Sequence, residues 1–213
     1  MARGPMVLVE GLDLAGKTTL ASSLRDKWRA TGVPVSFSRN ALVENNTIAA
    51  AANAFYKTYT GTDNVATGGL FLAAHVWDAA HFQAPPPTGA HLQESCWLRT
   101  LAYNRFAGTP LIQQLVADAG KEQPAFDLVI FLTADIAVRA ARLKQREAEK
   151  PGENDALDAM VVTNPAGFLR LEEELRAAVR EFNKVVVEID TTALGKDQVI
   201  EAAWAQLKSA GLV

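Results

Sequence analysis

Residues 11 to 18 read G-L-D-L-A-G-K-T, and no other stretch constrains the fold of this chain as tightly. Glycine, four residues, glycine, lysine and threonine is the spacing of a phosphate-binding loop. The stretch directly follows the apolar run Met6 to Glu10, and helical periodicity begins at Lys17, so the loop falls between a strand and a helix. In such a loop the glycines let the backbone bend until several N–H groups point inward, and the helix N-terminus adds partial positive charge. A polyphosphate fills that nest. Lys17 is expected to reach its β- and γ-phosphates, and the Thr18 hydroxyl to serve as a magnesium ligand. The cofactors this implies are ATP and Mg2+.

The rest of the chain continues the strand-loop-helix pattern. Five runs are expected as strands: Met6 to Glu10, Val33 to Ser38, Ala90 to Glu94, Asp127 to Thr133 and Lys184 to Asp190. All but the third are rich in Val, Ile, Leu and Phe with little alternation, as in a sheet covered on both faces. Helices are expected over Lys17 to Ala30, Leu42 to Tyr59, Val65 to Phe82, Trp97 to Ala119, Ile136 to Glu147, Ala166 to Phe182 and Lys196 to Ala210. The alternation predicts an α/β fold around a parallel sheet, in one domain over residues 1 to 213. Pro85, Pro86 and Pro87, followed by Thr88 and Gly89, predict a stiff turn before the third strand. The polar stretch Glu149 to Pro165 follows a basic helix end and predicts a mobile lid, spanning about residues 142 to 165.

Composition excludes whole classes of function. A chain of 213 residues with 49% hydrophobic content folds into a globule, and its longest apolar runs fall far short of the roughly 20 residues that cross a bilayer. The net charge of -3 offers no general attraction to nucleic acid polymers or anionic membranes. One cysteine, Cys96, excludes a disulfide framework; with no secretory signal at the start, a cytoplasmic setting is expected. Cys96 is expected to be a buried, inert thiol. Among phosphate-loop proteins the chain is too short for a motor and carries no guanine-reading N-K-x-D sequence, which leaves a small kinase.

With V-L-V-E-G-L-D-L-A-G-K-T-T at Val7 to Thr19, the chain resembles the thymidylate kinases, within the nucleoside monophosphate kinase-like P-loop fold. Further matches are Ser38-Arg39 at the end of the second strand, Leu70-Phe71, Leu101-Ala102-Tyr103, the strand from Phe126 to Leu132, and Ile189-Asp190. The resemblance implies a doubly wound five-stranded sheet in the order 2-3-1-4-5. It implies donor contacts from Gly11, Leu14, Ala15, Gly16, Lys17, Thr18 and Thr19, and metal contacts from Thr18 and Glu94. Asp13 would face an acceptor hydroxyl or phosphate, Arg39 would bind the acceptor phosphate, Phe71 would stack on a base, and Tyr103 would line the sugar. Some members carry an arginine inside the loop. Leu14 stands there in this chain, so Arg142 and Arg146 would close over the transferring group, with Lys17 and Asp13 completing the catalytic set. The family often forms homodimers through its helices, which extends to this chain as an expectation.

The departures fall on the acceptor side. The family's aspartate-arginine-tyrosine triplet coincides with Glu94, Ser95 and Cys96, so a phosphate-clamping arginine is missing. His75 stands where the family has a base-reading arginine. Losing a bidentate arginine leaves a buried anion short of partners. Arg99 and Arg105 are the candidates to replace it. The expected partner is a small, nucleotide-like phosphate acceptor. Two alternatives stay open: a nucleoside or small-metabolite hydroxyl kinase using Glu94 or Asp13 as base, and a nucleotide-binding protein without turnover.

Overall fold

The structure, a computed structural model, describes residues 3–58, 64–152 and 154–213. Strand β1 (Met6–Glu10) runs into the glycine loop and helix α1 (Lys17–Arg29). Next come β2 (Val35–Arg39), α2 (Thr47–Thr58), α3 (Asn64–His81), β3 (Ala90–Glu94), α4 (Trp97–Ala107) and α5 (Pro110–Gly120). Then follow β4 (Leu128–Thr133), α6 (Ile136–Glu149), α7 (Ala156–Thr163), α8 (Pro165–Phe182), β5 (Val186–Asp190) and α9 (Lys196–Ser209). All strand pairs are parallel, in the order β2-β3-β1-β4-β5, as the sequence implied.

Alternation along the central strands splits the core between the two faces. Met6 and Leu8 of β1, with Val129 and Phe131 of β4, pack against α4, α5, α7 and α8. Val7 and Val9, with Leu128, Ile130 and Leu132, pack against α1 and α9, where Trp28 and Trp204 close the layer. Burial of a strand on both faces removes any reason for polar alternation. Because β1 is central and Val9 pairs with Glu94 on one side and Ile130 on the other, the loop after β1 emerges at the carboxyl edge of the sheet. That edge is where open α/β sheets bind ligands.

Strand β3 is fully buried despite carrying His91, Gln93 and Glu94, because each has a partner. Ser36 Oγ lies 2.9 Å from His91 Nδ1, and Gln93 Nε2 donates to Ser95 O at 2.7 Å. The proline turn forms as expected, with Gly89 N donating to Pro86 O at 2.8 Å.

Three stretches differ from expectation by more than a residue or two. The expected helix Leu42 to Tyr59 starts only at Thr47, and Tyr59 lies outside the described residues. Residues 42–46 instead form a loop pinned by the buried Asp78 carboxylate, which accepts from Leu42 N, Val43 N and Asn46 Nδ2 at 2.8, 3.1 and 2.9 Å. The expected helix Trp97 to Ala119 is two helices. Gly108 ends α4 in the left-handed region at φ 70°, and Pro110, which lacks a donor, opens α5. The expected polar lid contains α7, which begins with a capping box: the Asp155 side chain accepts from Leu157 N and Asp158 N, and Asp158 accepts from Asp155 N. Leu157 and Val161 of α7 are buried in the core, so this part of the segment is packed. Glu153 lies outside the described residues.

Candidate active site

The glycine loop is held in a conformation few other sequences accept. Gly11 has φ 138°, and a Cβ there would sit 2.3 Å from Leu132 O, so β4 leaves room only for glycine. Leu14 (φ 66°) and Gly16 (φ 101°) are also left-handed, the turn pattern that gathers N–H groups into an anion-binding concavity. Lys17 folds back across the loop: its Nζ donates to Leu12 O at 3.1 Å and lies 3.2 Å from Asp13 Oδ1. Burial lowers the Lys17 ammonium below its ordinary pKa, and the Asp13 charge partly offsets that.

At the carboxyl end of β3, Glu94 meets the loop. Thr18 Oγ1 donates to Glu94 Oε1 at 2.6 Å, and Arg39 Nε lies 3.3 Å from the same oxygen. Glu94 is 1% exposed, and its Oε2 is buried with no hydrogen-bond partner among the described residues. An orphaned carboxylate oxygen beside a hydroxyl is an oxygen-only donor set of the kind hard divalent cations take.

On the other side of Asp13 stands Arg99 of α4. Its Nη2 donates to Asp13 Oδ1 and Oδ2 at 3.2 and 3.0 Å and to the Tyr103 hydroxyl at 3.3 Å. Its Nε is buried without a partner among the described residues. Burial opposes ionisation of Asp13, but the charges of Arg99 and Lys17 outweigh it and hold the carboxyl well below the usual carboxylate range. Arg105, the other candidate, faces away and pairs with Glu181 at 2.7 Å. His75 is 6% exposed and its Nε2 lies 2.8 Å from Thr100 Oγ1, which fixes it in the α3–α4 interface. Burial lowers its pKa to about 4, so the imidazole is neutral at pH 7. Phe71, one turn earlier on α3, is partly buried and outside both core clusters. Cys96 is buried and its thiol is pushed up by burial, as expected of an inert cysteine.

The basic face of α6 divides. Arg142 braces the loop from behind, donating to Leu14 O at 2.8 Å and to Thr191 Oγ1 and O at 3.0 Å each. Arg146 is held by its own segment: Nε donates to Asn154 Oδ1 at 2.6 Å, and Nη2 pairs with Asp158. The structure therefore gathers Asp13, Lys17, Thr18, Arg39, Glu94, Arg99 and Tyr103 at the sheet edge, with Arg142 behind the loop and Arg146 on the α6–α7 corner.

Three polar residues near the site escaped sequence reasoning. Glu10, 0% exposed, accepts from Gly11 N, Ser95 Oγ and Cys96 N, tying the loop to the start of α4. Its carboxyl is raised by burial, partly offset by Arg99 and Lys17. A charge ending an otherwise apolar strand was its visible signal. Tyr56 of α2 has its phenol raised by burial, with the charges of Asp155 and Asp13 adding to the shift. Arg139, on the basic helix α6, is 0% exposed and donates to Asp13 O.

The thymidylate kinase family model matches residues 9–192, which span the loop, the residues gathered around Asp13 and α6 to β5. The chain belongs to the thymidylate kinase family. It is thus a P-loop kinase, a transferase of a family whose reaction is ATP-dependent phosphoryl transfer to a nucleoside monophosphate. A solved thymidylate kinase from Candida albicans, described as having broad substrate specificity and a novel structural element, shares the fold of this family member. The TM-score is 0.66 at 20% identity, covering 100% of this chain and 94% of that one. No curated protein sequence matches the chain. Among the described residues no helix is long and apolar enough to cross a membrane.

Proposed function

We propose that this thymidylate kinase-family member transfers the γ-phosphoryl group of magnesium-bound ATP to a nucleoside monophosphate whose phosphate is taken by Arg99 and Arg39. The observation that carries this reading is the Arg99 guanidinium: it lies against Asp13 beside the loop, with a buried Nε that has no partner among the described residues. A monophosphate oxygen satisfies such a donor, and the planar fork matches it in shape. Arg99 thus stands in from α4 for the arginine that Ser95 replaces at the end of β3.

Donor phosphates would sit in the N–H nest of residues 11–19 with Lys17 along them. Thr18 and Glu94 would hold Mg2+, which neutralises charge on the phosphate oxygens when bound. An acceptor phosphate oxygen attacks the γ-phosphorus in line, the bond to the β,γ-bridging oxygen breaks, and ADP leaves. That oxygen is already ionised, so no base is needed. Asp13, held far below the usual carboxylate range, is a poor base, which favours a monophosphate over a free hydroxyl. The acceptor base would lie by Phe71, with neutral His75 behind it and Tyr103 along the sugar. Arg146 would swing from Asp158 toward the transferring group when the α6–α7 corner closes.

A coupled ADP-release assay tests this, with ATP and magnesium against a panel of nucleoside monophosphates, free nucleosides and small alcohols, and Lys17→Ala as control. Turnover with a monophosphate that Lys17→Ala lacks is expected. Turnover only with free hydroxyl compounds, or ATP binding without any turnover, would refute it.

A further inference from the structure

Arg139 is the one arginine of the α6 basic face that solvent never reaches. All three of its guanidinium nitrogens are engaged: Nε donates to Ala134 O at 2.8 Å, Nη1 to Asp13 O at 2.8 Å and Nη2 to Glu172 Oε2 at 2.7 Å. The guanidinium also lies 5.1 Å from the centre of the Phe168 ring. One end of this strut is anchored on α8 through Glu172, itself 4% exposed, and the other ends on the phosphate loop.

The contact with Asp13 O decides more than local packing. A trans peptide points its carbonyl and its N–H in opposite directions. Drawing the Asp13 carbonyl outward to Arg139 therefore turns the Leu14 N–H the other way, into the loop. Arg142 does the same one peptide later through Leu14 O, turning the Ala15 N–H. Between these two peptides sits Leu14, a non-glycine residue at φ 66°, a conformation that persists only where the surroundings over-determine it. We propose that Arg139, buttressed by Glu172, is a positioning residue for the donor: it holds the Asp13–Leu14 peptide so that its N–H faces the bound phosphates. This rests on the reading that the loop binds ATP. Arg139 touches none of Arg99, Arg39 and Tyr103 and reaches the Asp13 backbone carbonyl only, while the Asp13 carboxylate pairs with Arg99, so its larger effect falls on ATP.

The experiment separates the strut's fold from its aim. In the double substitution Arg139→Met with Glu172→Leu, an apolar pair replaces the ion pair, an exchange that often leaves stability unharmed, but nothing then donates to Asp13 O. Arg139→Lys, which keeps the charge and loses the fork, is the milder companion. ATP binding by the full-length protein is measured by calorimetry with magnesium and without acceptor, alongside Tm and the KM values for both substrates. The expected result is a Kd for ATP raised about tenfold or more, the loss of one charge-assisted hydrogen bond, with a matching rise in KM for ATP and a clearly smaller change in KM for the acceptor. Arg139→Lys should show a smaller rise in the same direction. An unchanged Kd for ATP in the folded double variant, or in Arg139→Lys if the double variant does not fold, overturns the proposal. Wild-type protein that fails to bind ATP would instead overturn the donor reading beneath it.

Discussion

Replacing Arg99 with Met should weaken the acceptor and spare the donor. The side chain spans Asp13 and Tyr103 at 3.0 and 3.3 Å, and its Nε is unpaired among the described residues. A bidentate, charge-assisted contact to a phosphate contributes about 1.5–3 kcal/mol per hydrogen bond. Allowing for compensation by Arg39, which is 59% exposed and paired with Glu94, the loss should be about 2.7 kcal/mol, or ~100-fold in kcat/KM for the acceptor. The Kd for ATP should change by less than threefold, since Lys17 keeps its contact with Asp13. Arg99→Lys should recover only part, because an ammonium lacks the planar fork. There is also a pH signature. The Asp13 carboxyl is depressed in the folded state, so its contribution to stability is present above its unfolded value of about 3.9 and is lost as pH falls through its folded one. The stability gap between wild type and Arg99→Met should therefore be widest near pH 7 and shrink below about pH 4. Steady-state kinetics with both substrates varied, and urea melts across pH, read these quantities. A variant whose acceptor KM is unchanged while its ATP affinity collapses would place Arg99 on the donor side and refute the argument.

Three other predictions rest on separate groups. His75 is buried with its pKa lowered to about 4, against about 6.5 unfolded, so stability should fall by about 3 kcal/mol as pH drops through that window. His75→Gln should flatten that part of the profile in thermal melts, and an unflattened profile would show the slope comes from elsewhere. Cys96, buried and raised, should react with an alkylating reagent only at the rate of unfolding, and fast labelling of folded protein would contradict its burial. Glu94→Gln, which removes the charge beside Thr18, should raise the magnesium concentration needed for half-maximal turnover by roughly tenfold; an unmoved requirement would remove Glu94 from the metal site.

The parts of the fold legible in the sequence are those whose cause is local. Continuous apolar runs placed four strands, and the glycine spacing with the helix at Lys17 placed the loop between β1 and α1. Strand β3 was harder, because its polar residues are satisfied by partners far along the chain: Ser36 for His91, and Thr18 and Arg39 for Glu94. Boundaries were missed where a single residue overrode periodicity, as Asp78 does for residues 42–46 and Pro110 for the α4–α5 break. In the candidate site the loop was readable and the choice between Arg99 and Arg105 was not, since both lie on α4 and only its packing turns one toward Asp13. Arg139 was the least visible. Its partner Glu172 lies 33 residues away on another helix, and a basic run gives no hint that one member is buried.

The central claim, direct transfer to a phosphate, is tested most directly by identifying the product. Phosphorus NMR of the complete reaction, containing wild-type protein, ATP, magnesium and the best monophosphate of the panel, should show a new nucleoside diphosphate forming in step with ADP, and Lys17→Ala should show neither. Phosphate appearing on a sugar hydroxyl, or released as inorganic phosphate with the monophosphate untouched, would contradict it.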